Sequence, residues 1–192
     1  MRRNNGLCFY KKKRRFSADA TREFGNYLAG IIIAIGLAFF LVYCFGMKTS
    51  VIGVSMEDTL YNGQAVLINR VAYLFFPPKA GDIVAFLPNG NANTHYYVKR
   101  IVAVPGDTVE FQDGRLYVNG IKEEGLYDKV AEPGLAEVPV HMDTDEYFVL
   151  GDNRNNSEDS RSGNIGKVKR EIIVGKVWLH LGSHEEGIAL MH

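Results

Sequence analysis

The sequence predicts a mostly β domain that contains a small inserted β subregion and follows one transmembrane helix. Residues 27–47 form an uncharged apolar run, whereas most later apolar runs are short and bounded by Gly, Pro, Asn or Asp. The first pattern is typical of a membrane span and the second of β-strands. Residues 48–192 are numerous enough to enclose a hydrophobic core as one domain.

The apolar run reads YLAGIIIAIGLAFFLVYCFGM. As a helix rising about 1.5 Å per residue, it would be roughly 31 Å long, which matches the hydrocarbon core of a bilayer. A cleavable signal peptide is the competing interpretation, but the run exceeds an h-region of about 7 to 15 residues. Residues 43–46 also lack the paired small side chains of a cleavage site. We therefore predict a retained membrane anchor.

Charge is distributed unevenly about this run. The tail, residues 1–26, contains eight basic and two acidic residues, whereas residues 48–192 contain 14 basic and 20 acidic residues. The positive-inside rule places the tail in the cytoplasm, where it would also touch anionic lipid. We expect a single-pass protein of the cell membrane whose domain, residues 48–192, is extracytoplasmic. The acidic balance of that domain argues against nucleic acid as a partner.

The cysteines and histidines offer little for covalent or metal chemistry. Cys8 in the tail and Cys44 in the span would lie on opposite sides of the bilayer, and the exported domain has no cysteine. Its stability therefore cannot depend on disulfides. His180 and His184 are close in sequence, but no cysteine or carboxylate cluster completes a tetrahedral metal site. We expect no metal and no other cofactor.

Seven segments of the domain have the strand pattern of β-branched and aromatic residues between turn formers. They are residues 65–68, 82–86, 96–104, 108–111, 115–118, 147–150 and 172–181. Pro105-Gly106-Asp107 ends one strand, and Asp113-Gly114 is a hairpin signal between two others. Residues 119–145 become acidic and show little periodicity, and we expect a small non-catalytic subregion at about residues 112–146.

Ser55 lies in the segment VIGVSMEDTL, just before Glu57-Asp58-Thr59. A serine at such a position is most often a helix N-cap. The same junction would also expose its hydroxyl beside free backbone N–H groups that could stabilise an oxyanion. Gly53 would let the backbone approach a ligand closely. Ser55 is therefore a candidate nucleophile whose alternative role is a helix cap.

Lys99 lies in the strand segment YYVKRIVAV. Strand alternation places it on one face with Tyr97 and Ile101, opposite Val98 and Arg100. Burial would lower its pKa from about 10.4, and a decrease of about 3 units, equivalent to roughly 4 kcal/mol, is feasible at a buried site. The lysine could then act as a base. The alternative is a lysine whose stem packs while its ammonium reaches water.

His95 is the competing base, as part of a Ser-His-Asp arrangement. In an extended strand, His95 and Lys99 share a face but lie about 13 Å apart at roughly 3.3 Å per residue. Only one of them can therefore contact Ser55.

A third segment, GDNRNNSEDSRSG at residues 151–163, is dense in charges and turn formers, as in a solvated loop stabilised by ion pairs. Together with VIGVSMEDTL, GDIVAF and YYVKRIVAVPGD, it follows a membrane anchor in the order found in bacterial type I signal peptidases. The chain resembles this family over about residues 20–182. The resemblance implies a signal-peptidase-like β catalytic domain and a Ser-Lys dyad.

This resemblance also implies a role for each matching residue. Ser55 would attack the scissile carbonyl, and neutral Lys99 would accept its proton and return it to the leaving amine. Ser157 would orient the lysine, and backbone N–H groups of Ser55 and Gly53 would form the oxyanion hole. Supporting positions implied in the same way are Asp152, Arg154, Asp159, Arg161 and Arg100.

The family's pocket for small substrate side chains at positions −1 and −3 matches a set of apolar residues here. They are Val51, Ile52, Met56, Leu60, Tyr97 and Val98. One departure is Asp58, which stands where the family commonly has proline, so the restraint on φ is lost and a carboxylate is added. Residues 73–78, YLFFPP, would either touch the membrane interface or form a buried core loop.

We therefore predict a membrane-anchored serine endopeptidase that cleaves N-terminal signal peptides, with small residues at −1 and −3, from exported preproteins. The lipid bilayer and the secretion machinery are the further partners expected. Two alternatives remain. One is an inactive anchored β-domain that serves as a binding or assembly module. The other is a Ser-Lys self-cleaving regulator of the repressor type, against which the membrane span argues.

Overall fold

This computed structural model describes residues 18–88, 95–123, 129–182 and 188–191. The chain divides into two units, Met1–Phe40 and Leu41–His192. Helix α1 (Ala18–Phe45) is the one helix of the described part that is long and apolar enough to cross a membrane. The most apolar 18-residue window within its stretch Thr21–Phe45 has a mean hydropathy of 2.7, and nearly all of the side chains there are exposed. This composition agrees with the predicted anchor.

The helix ends two residues before the predicted boundary at residue 47. A Cβ on Gly46 would lie 2.6 Å from the carbonyl oxygen of Val42, so glycine is the residue that fits here. The Gly46 N–H donates to that same carbonyl at 2.8 Å. Met47 then begins the first β-strand, where it pairs with Ile68. The apolar side chain of Met47 therefore belongs to the β domain and not to the span.

Twelve strands follow in the described part of the chain. They are β1 (Met47–Ser50), β2 (Ala65–Asn69), β3 (Ile83–Phe86), β4 (Tyr97–Ala103), β5 (Thr108–Gln112), β6 (Arg115–Val118), β7 (Ile121–Lys122), β8 (Val140–His141), β9 (Glu146–Leu150), β10 (Val168–Lys169), β11 (Ile173–Leu181) and β12 (Ala189–Leu190). Helix α2 (Ala72–Phe75) lies between β2 and β3, and 3-10 helices cover Gly134–Glu137 and Arg170–Ile172. The predicted mostly β class is confirmed.

The strands form two antiparallel sheets. The larger has the order β1-β2-β11-β3-β4-β9-β10, with β12 also paired to β11, and the smaller has the order β7-β6-β5-β8. All seven predicted strands are present, each within one residue of its predicted ends. The predicted hairpin turn is also present, with φ of 51° at Asp113 and 74° at Gly114, the positive pair that two-residue hairpin loops require.

One hydrophobic cluster joins the two sheets. Its buried members are Val102, Ala103, Val109, Phe111, Leu116, Val130, Ala136, Met142, Phe148 and Leu150. They come from β4 and β9 of the larger sheet and from the smaller sheet with its connecting loops. The smaller sheet begins at Thr108, before the expected boundary at residue 112, because β5 is one of its central strands.

Helix α2 and the residue that follows it present three large apolar side chains to solvent. Leu74, Phe75 and Phe76 are 72%, 79% and 69% exposed. The buried-loop alternative for residues 73–78 is therefore wrong at these positions. Only Tyr73 of this short helix is buried, and its hydroxyl donates to Asp82 Oδ2 at 3.0 Å.

Candidate active site

Ser55 lies in the loop that connects β1 to β2. The base of this loop is closed by two backbone hydrogen bonds, from Val51 N–H to Gln64 O at 2.9 Å and from Gly63 N–H to Val51 O at 2.8 Å. Beyond Ser55 the chain makes tight turns, with the Leu60 N–H donating to Met56 O at 2.7 Å, but no helix begins there. The cap alternative for Ser55 is therefore wrong.

Asp58 adopts a backbone conformation that proline cannot. Its φ is +81°, whereas the pyrrolidine ring fixes φ near −65°. At the position where the family commonly has proline, three residues after Ser55, this chain therefore has a left-handed backbone conformation.

We predict that Asp58→Pro lowers the free energy of unfolding by about 1–3 kcal/mol, because the turn must rearrange. Asp58→Gly should leave it equal or higher, because glycine adopts positive φ without steric cost. Thermal unfolding of the two variants in detergent checks this. Equal melting temperatures for the Pro and Gly variants would contradict it.

Strand β4 brings Lys99 to Ser55. Lys99 pairs with Val84 of β3, its side chain is only 4% exposed, and its Nζ lies 2.5 Å from Ser55 Oγ. Burial lowers the pKa of Lys99 to about 8, although attraction to Asp159 and Glu158 opposes the change. Nζ also lies 5.9 Å from the centre of the Tyr97 ring, as expected for two residues on one strand face. A serine hydroxyl and a partly neutral lysine are therefore in contact.

His95 occupies the wall of the same cleft but is exposed and lies outside β4. Within the described residues, the hydrogen-bond partner of Ser55 Oγ is Lys99 and not His95. Of the two competing bases, the geometry favours the lysine.

Asn153 binds the loop that carries Ser55, a contact that the sequence did not indicate. Its backbone N–H donates to Ser55 O at 3.1 Å, and its side-chain Nδ2 donates to Val54 O at 3.2 Å. The sequence showed only that an amide residue lies within the charged loop 151–163. Local sequence cannot reveal to which distant carbonyl such a side chain donates a hydrogen bond.

The two backbone N–H groups predicted to form an oxyanion hole have different surroundings. The Gly53 N–H donates to Asn62 Oδ1 at 2.9 Å, so an oxyanion would have to displace that bond. In contrast, the Ser55 N–H meets no hydrogen-bond acceptor among the described residues. Asn62 lies on the same loop seven residues after Ser55 and satisfies a glycine amide with φ of +86°.

A buried ion pair supports the loop behind Lys99. Arg161 Nε and Nη2 each donate at 2.8 Å to the two carboxylate oxygens of Asp159, which is fully buried. Asp159 Oδ2 also accepts from the Gly151 N–H at 3.1 Å, and Arg161 Nη2 donates to Arg154 O at 2.6 Å. The predicted pair is therefore present and ties both ends of loop 151–161 together.

Ser157 lies beside Gly151 and Ser55. A Cβ on Gly151 would collide with the Ser157 side chain and the Ser55 carbonyl, so glycine permits this close approach. Ser157 Oγ is buried and has no hydrogen-bond partner among the described residues. The predicted hydrogen bond from Ser157 to Lys99 is thus not formed in this conformation, in which Lys99 binds Ser55 instead.

A second ion pair fixes the other edge of the site. Arg100 Nε and Nη2 donate at 2.8 Å to the two oxygens of Asp152, which is 1% exposed. Arg100 also donates to Gly81 O at 2.9 Å. Arg154 is buried and pairs with Glu123 of the neighbouring chain segment at 3.3 Å. The Arg100–Asp152 pair fastens loop 151–161 to β4, and the Arg154–Glu123 pair joins it to the residue after β7.

A cleft of about 450 Å³ opens over Ser55 and Lys99. Four of the six predicted pocket residues line it, namely Val51, Ile52, Tyr97 and Val98. Met56 and Leu60 do not, because both are fully buried in the core cluster beneath the loop. Their apolar side chains support the floor and do not form its surface.

The residues considered for metal binding have other surroundings. His180 Nδ1 lies 2.8 Å from Gln64 Nε2, and His184 is outside the described residues. Among described side chains, no group of three histidines, cysteines or carboxylates could hold a metal ion. The absence of a cofactor stays a prediction.

The chain is similar in sequence to known signal peptidases. The family model for signal peptidase, peptidase S26, matches residues 24–181. The chain is 35% identical over 177 residues to signal peptidase I P of Bacillus subtilis subsp. natto, with 87% of this chain and 91% of that protein covered. It is 34% identical over 167 residues to signal peptidase IB of Staphylococcus aureus (strain COL), with 76% and 85% covered. A crystal structure of a signal peptidase I from Enterococcus faecalis V583 aligns with a TM-score of 0.42 and 32% identity over 52% of this chain and 96% of that one.

Proposed function

Since the chain belongs to the signal peptidase family, peptidase S26, we propose that it is a membrane-anchored serine endopeptidase that removes N-terminal signal peptides from exported preproteins. The observation that carries this function is the 2.5 Å contact between Ser55 Oγ and Lys99 Nζ at the floor of an open cleft. Residues 1–26 would form the cytoplasmic tail and residues 48–192 the extracytoplasmic catalytic domain, with residues 112–146 taking no part in catalysis.

Burial of Lys99 prepares it to act as the general base. With a pKa of about 8, roughly a tenth of the lysine is neutral at pH 7, and its lone pair can accept a hydrogen bond from the Ser55 hydroxyl. Ser55 Oγ then attacks the scissile carbonyl carbon as its proton moves to Nζ. The negative charge that develops on the carbonyl oxygen would be stabilised by the Ser55 N–H.

The same lysine transfers protons in both steps of the reaction, formation of the acyl-enzyme ester and its hydrolysis. The ammonium of Lys99 gives its proton to the leaving amine, the peptide C–N bond breaks, and an ester to Ser55 Oγ remains. Neutral Lys99 next takes a proton from water, whose oxygen attacks the ester carbonyl. Return of that proton to Ser55 Oγ releases the signal peptide's carboxylate. The apolar wall formed by Val51, Ile52, Tyr97 and Val98 would select small side chains at −1 and −3.

Processing of a precursor with Ala-x-Ala before its junction tests this function. The full chain in lipid vesicles should release a fragment that begins immediately after the second alanine, as mass spectrometry of the product would show, whereas Ser55→Ala should release none. Failure of the wild-type protein to cut any such precursor would favour the binding-module alternative. Cleavage restricted to its own chain would favour a self-cleaving regulator.

The orientation follows from charge. The basic tail would stay in the cytoplasm, and the site would face the other side, where the secretion machinery delivers preproteins. In intact cells a membrane-impermeant maleimide should label Cys8 only after permeabilisation. Labelling before permeabilisation would reverse the proposed topology.

We predict that Ser157→Ala lowers kcat by roughly 10- to 100-fold while the melting temperature holds or rises. The buried Ser157 hydroxyl has no partner among the described residues, so its removal costs no hydrogen bond. Rotation of the side chain would let it hold Lys99 once Ser55 is acylated, and this role would be lost. Ser157→Thr, which keeps a hydroxyl, is the matched control. An alanine variant with full activity would exclude a positioning role.

Besides the precursor, the lipid bilayer is the second proposed partner. An apolar tip formed by Leu74, Phe75 and Phe76 would contact it. This tip is held rigidly at its base, because the Arg170 guanidinium lies 5.4 Å from the Tyr73 ring centre and Nη2 donates to Tyr73 O at 3.0 Å. The chain just before it is fastened to the last turn of α1, where the Arg70 N–H donates to Cys44 O at 3.0 Å.

We predict that Phe75→Ser combined with Phe76→Ser reduces cleavage of a membrane-inserted precursor by roughly 10-fold and spares cleavage of a soluble peptide. The apolar tip would otherwise keep the cleft at the height where the precursor leaves the bilayer. Ile121→Ser, which removes an equally exposed apolar side chain from β7, is the control. Parallel losses on both substrates would contradict a membrane role.

A further inference from the structure

Glu158 provides the one carboxylate among the described residues that line the cleft. The other polar positions of the wall include His95 and Asn156, and Lys99 forms part of the floor. Glu158 is exposed, so its charge faces solvent and any peptide bound in the cleft. None of the catalytic steps derived above uses this side chain.

The position of Glu158 is fixed from two directions. Asn164 Nδ2 donates to its Oε1 at 3.1 Å. Its backbone lies directly before Asp159, whose carboxylate is fully buried and held by Arg161. The Asn164 hydrogen bond and the buried neighbour Asp159 therefore hold the Glu158 carboxylate at the cleft.

Glu158 lines the same cleft as Ser55 and Lys99, and it directly follows Ser157, which lies beside Ser55. Burial lowers the pKa of Lys99, and the negative charges of Asp159 and Glu158 oppose that effect. An extended substrate alternates its side chains, so residues −1 and −3 face one way while −2 and +1 face the other. With −1 and −3 against the apolar wall, −2 and +1 are the positions nearest the scissile bond that remain for Glu158.

We propose that Glu158 is a specificity-determining residue that favours precursors with lysine or arginine at −2 or +1 and disfavours acidic residues there. The inference rests on the proposed function of the same site. The attraction is between two partly solvated charges, so it should be modest, dependent on salt, and separate from the requirement for small residues at −1 and −3.

Two sets of precursor peptides test the proposal, one varied at −2 and one at +1, each with Lys, Gln or Glu at that position. For each enzyme the measured quantity is the ratio of kcat/KM for the Lys peptide to that for the Glu peptide. At low salt the wild type should prefer Lys by roughly 2- to 5-fold at one of the two positions. The preference should vanish in Glu158→Gln and reverse in Glu158→Lys.

Glu171→Gln is the matched control, because it removes an exposed carboxylate that does not line the cleft. A salt series on the wild type gives a second measurement without any variant, and the preference should decline as salt rises. An unchanged ratio in Glu158→Gln at both positions, or a salt-independent ratio in the wild type, would overturn the role of Glu158. Failure of the wild type to cut the Gln peptides would overturn the proposed function itself, so the two failures are distinguishable.

Discussion

Replacement of Lys99 by alanine is expected to lower kcat/KM for a precursor by at least about 10³-fold, because the proton of Ser55 then has no acceptor within reach. The contact of Lys99 Nζ with Ser55 Oγ, at 2.5 Å, is the only described hydrogen bond of that hydroxyl. Single-turnover cleavage of a fluorescent precursor measures the loss. His95→Ala is the control and should retain activity, because His95 is exposed and does not contact Ser55.

The pH dependence follows from the same lysine. Because its pKa is about 8 and the neutral form is the base, kcat/KM should rise about tenfold per pH unit below 8 and level off above it. A profile that instead levelled off near pH 6.5 would point to a histidine. Normal cleavage by Lys99→Ala would dismiss the dyad altogether.

The ionisation of Lys99 should also make stability depend on pH. The pKa of Lys99 is lower in the folded protein, about 8, than its ordinary value of 10.5, so between these values the unfolded chain binds more protons. The free energy of unfolding therefore increases as pH rises through that range, and at pH 7 the buried lysine costs about 3 kcal/mol. Lys99→Met should raise the melting temperature at pH 7 while abolishing cleavage. This combination would separate a catalytic role from a failure to fold.

Local patterns predicted the parts of this molecule that depend on local physics. Strand β4 and hairpin β5-β6 follow from alternation and from Asp113-Gly114, because side-chain period and turn dihedrals are properties of neighbouring residues. The span of α1 follows from its lack of charge, although Gly46 ended the helix before Met47. The family resemblance supplied the roles that spacing alone could not assign.

Contacts between distant segments could not be predicted from local sequence patterns. Asn153 meets Ser55 and Val54 across 98 and 99 positions of the chain, and no periodicity specifies such a pairing. Met56 was predicted to line the cleft for the same reason. Its apolar character fits a pocket wall and a core equally well, and only the folded loop buries it in the core. The left-handed Asp58 likewise became evident only from the backbone.

Removal of the Asp159 carboxylate should have the largest effect on stability. Arg161 is only 8% exposed and its guanidinium is bound at both ends of the Asp159 carboxylate, so Asp159→Ala leaves a buried cation without its anion. Breaking a buried pair in this way costs about 3–5 kcal/mol. The Gly151 N–H would lose its acceptor as well, which would loosen the loop behind Ser55. Cleavage should therefore fall together with stability.

Thermal unfolding of the full chain in detergent would measure this loss, which corresponds to a fall in melting temperature of roughly 6–20 °C for a chain of this size. Asp145→Ala, which removes an exposed carboxylate, is the matched control and should stay within about 0.5 kcal/mol of the wild type. The double variant Asp159→Ala with Arg161→Ala should lose less than the sum of the single losses, because neither charge is then left alone. Strictly additive losses would mean that the two side chains act independently and would contradict a coupled ion pair.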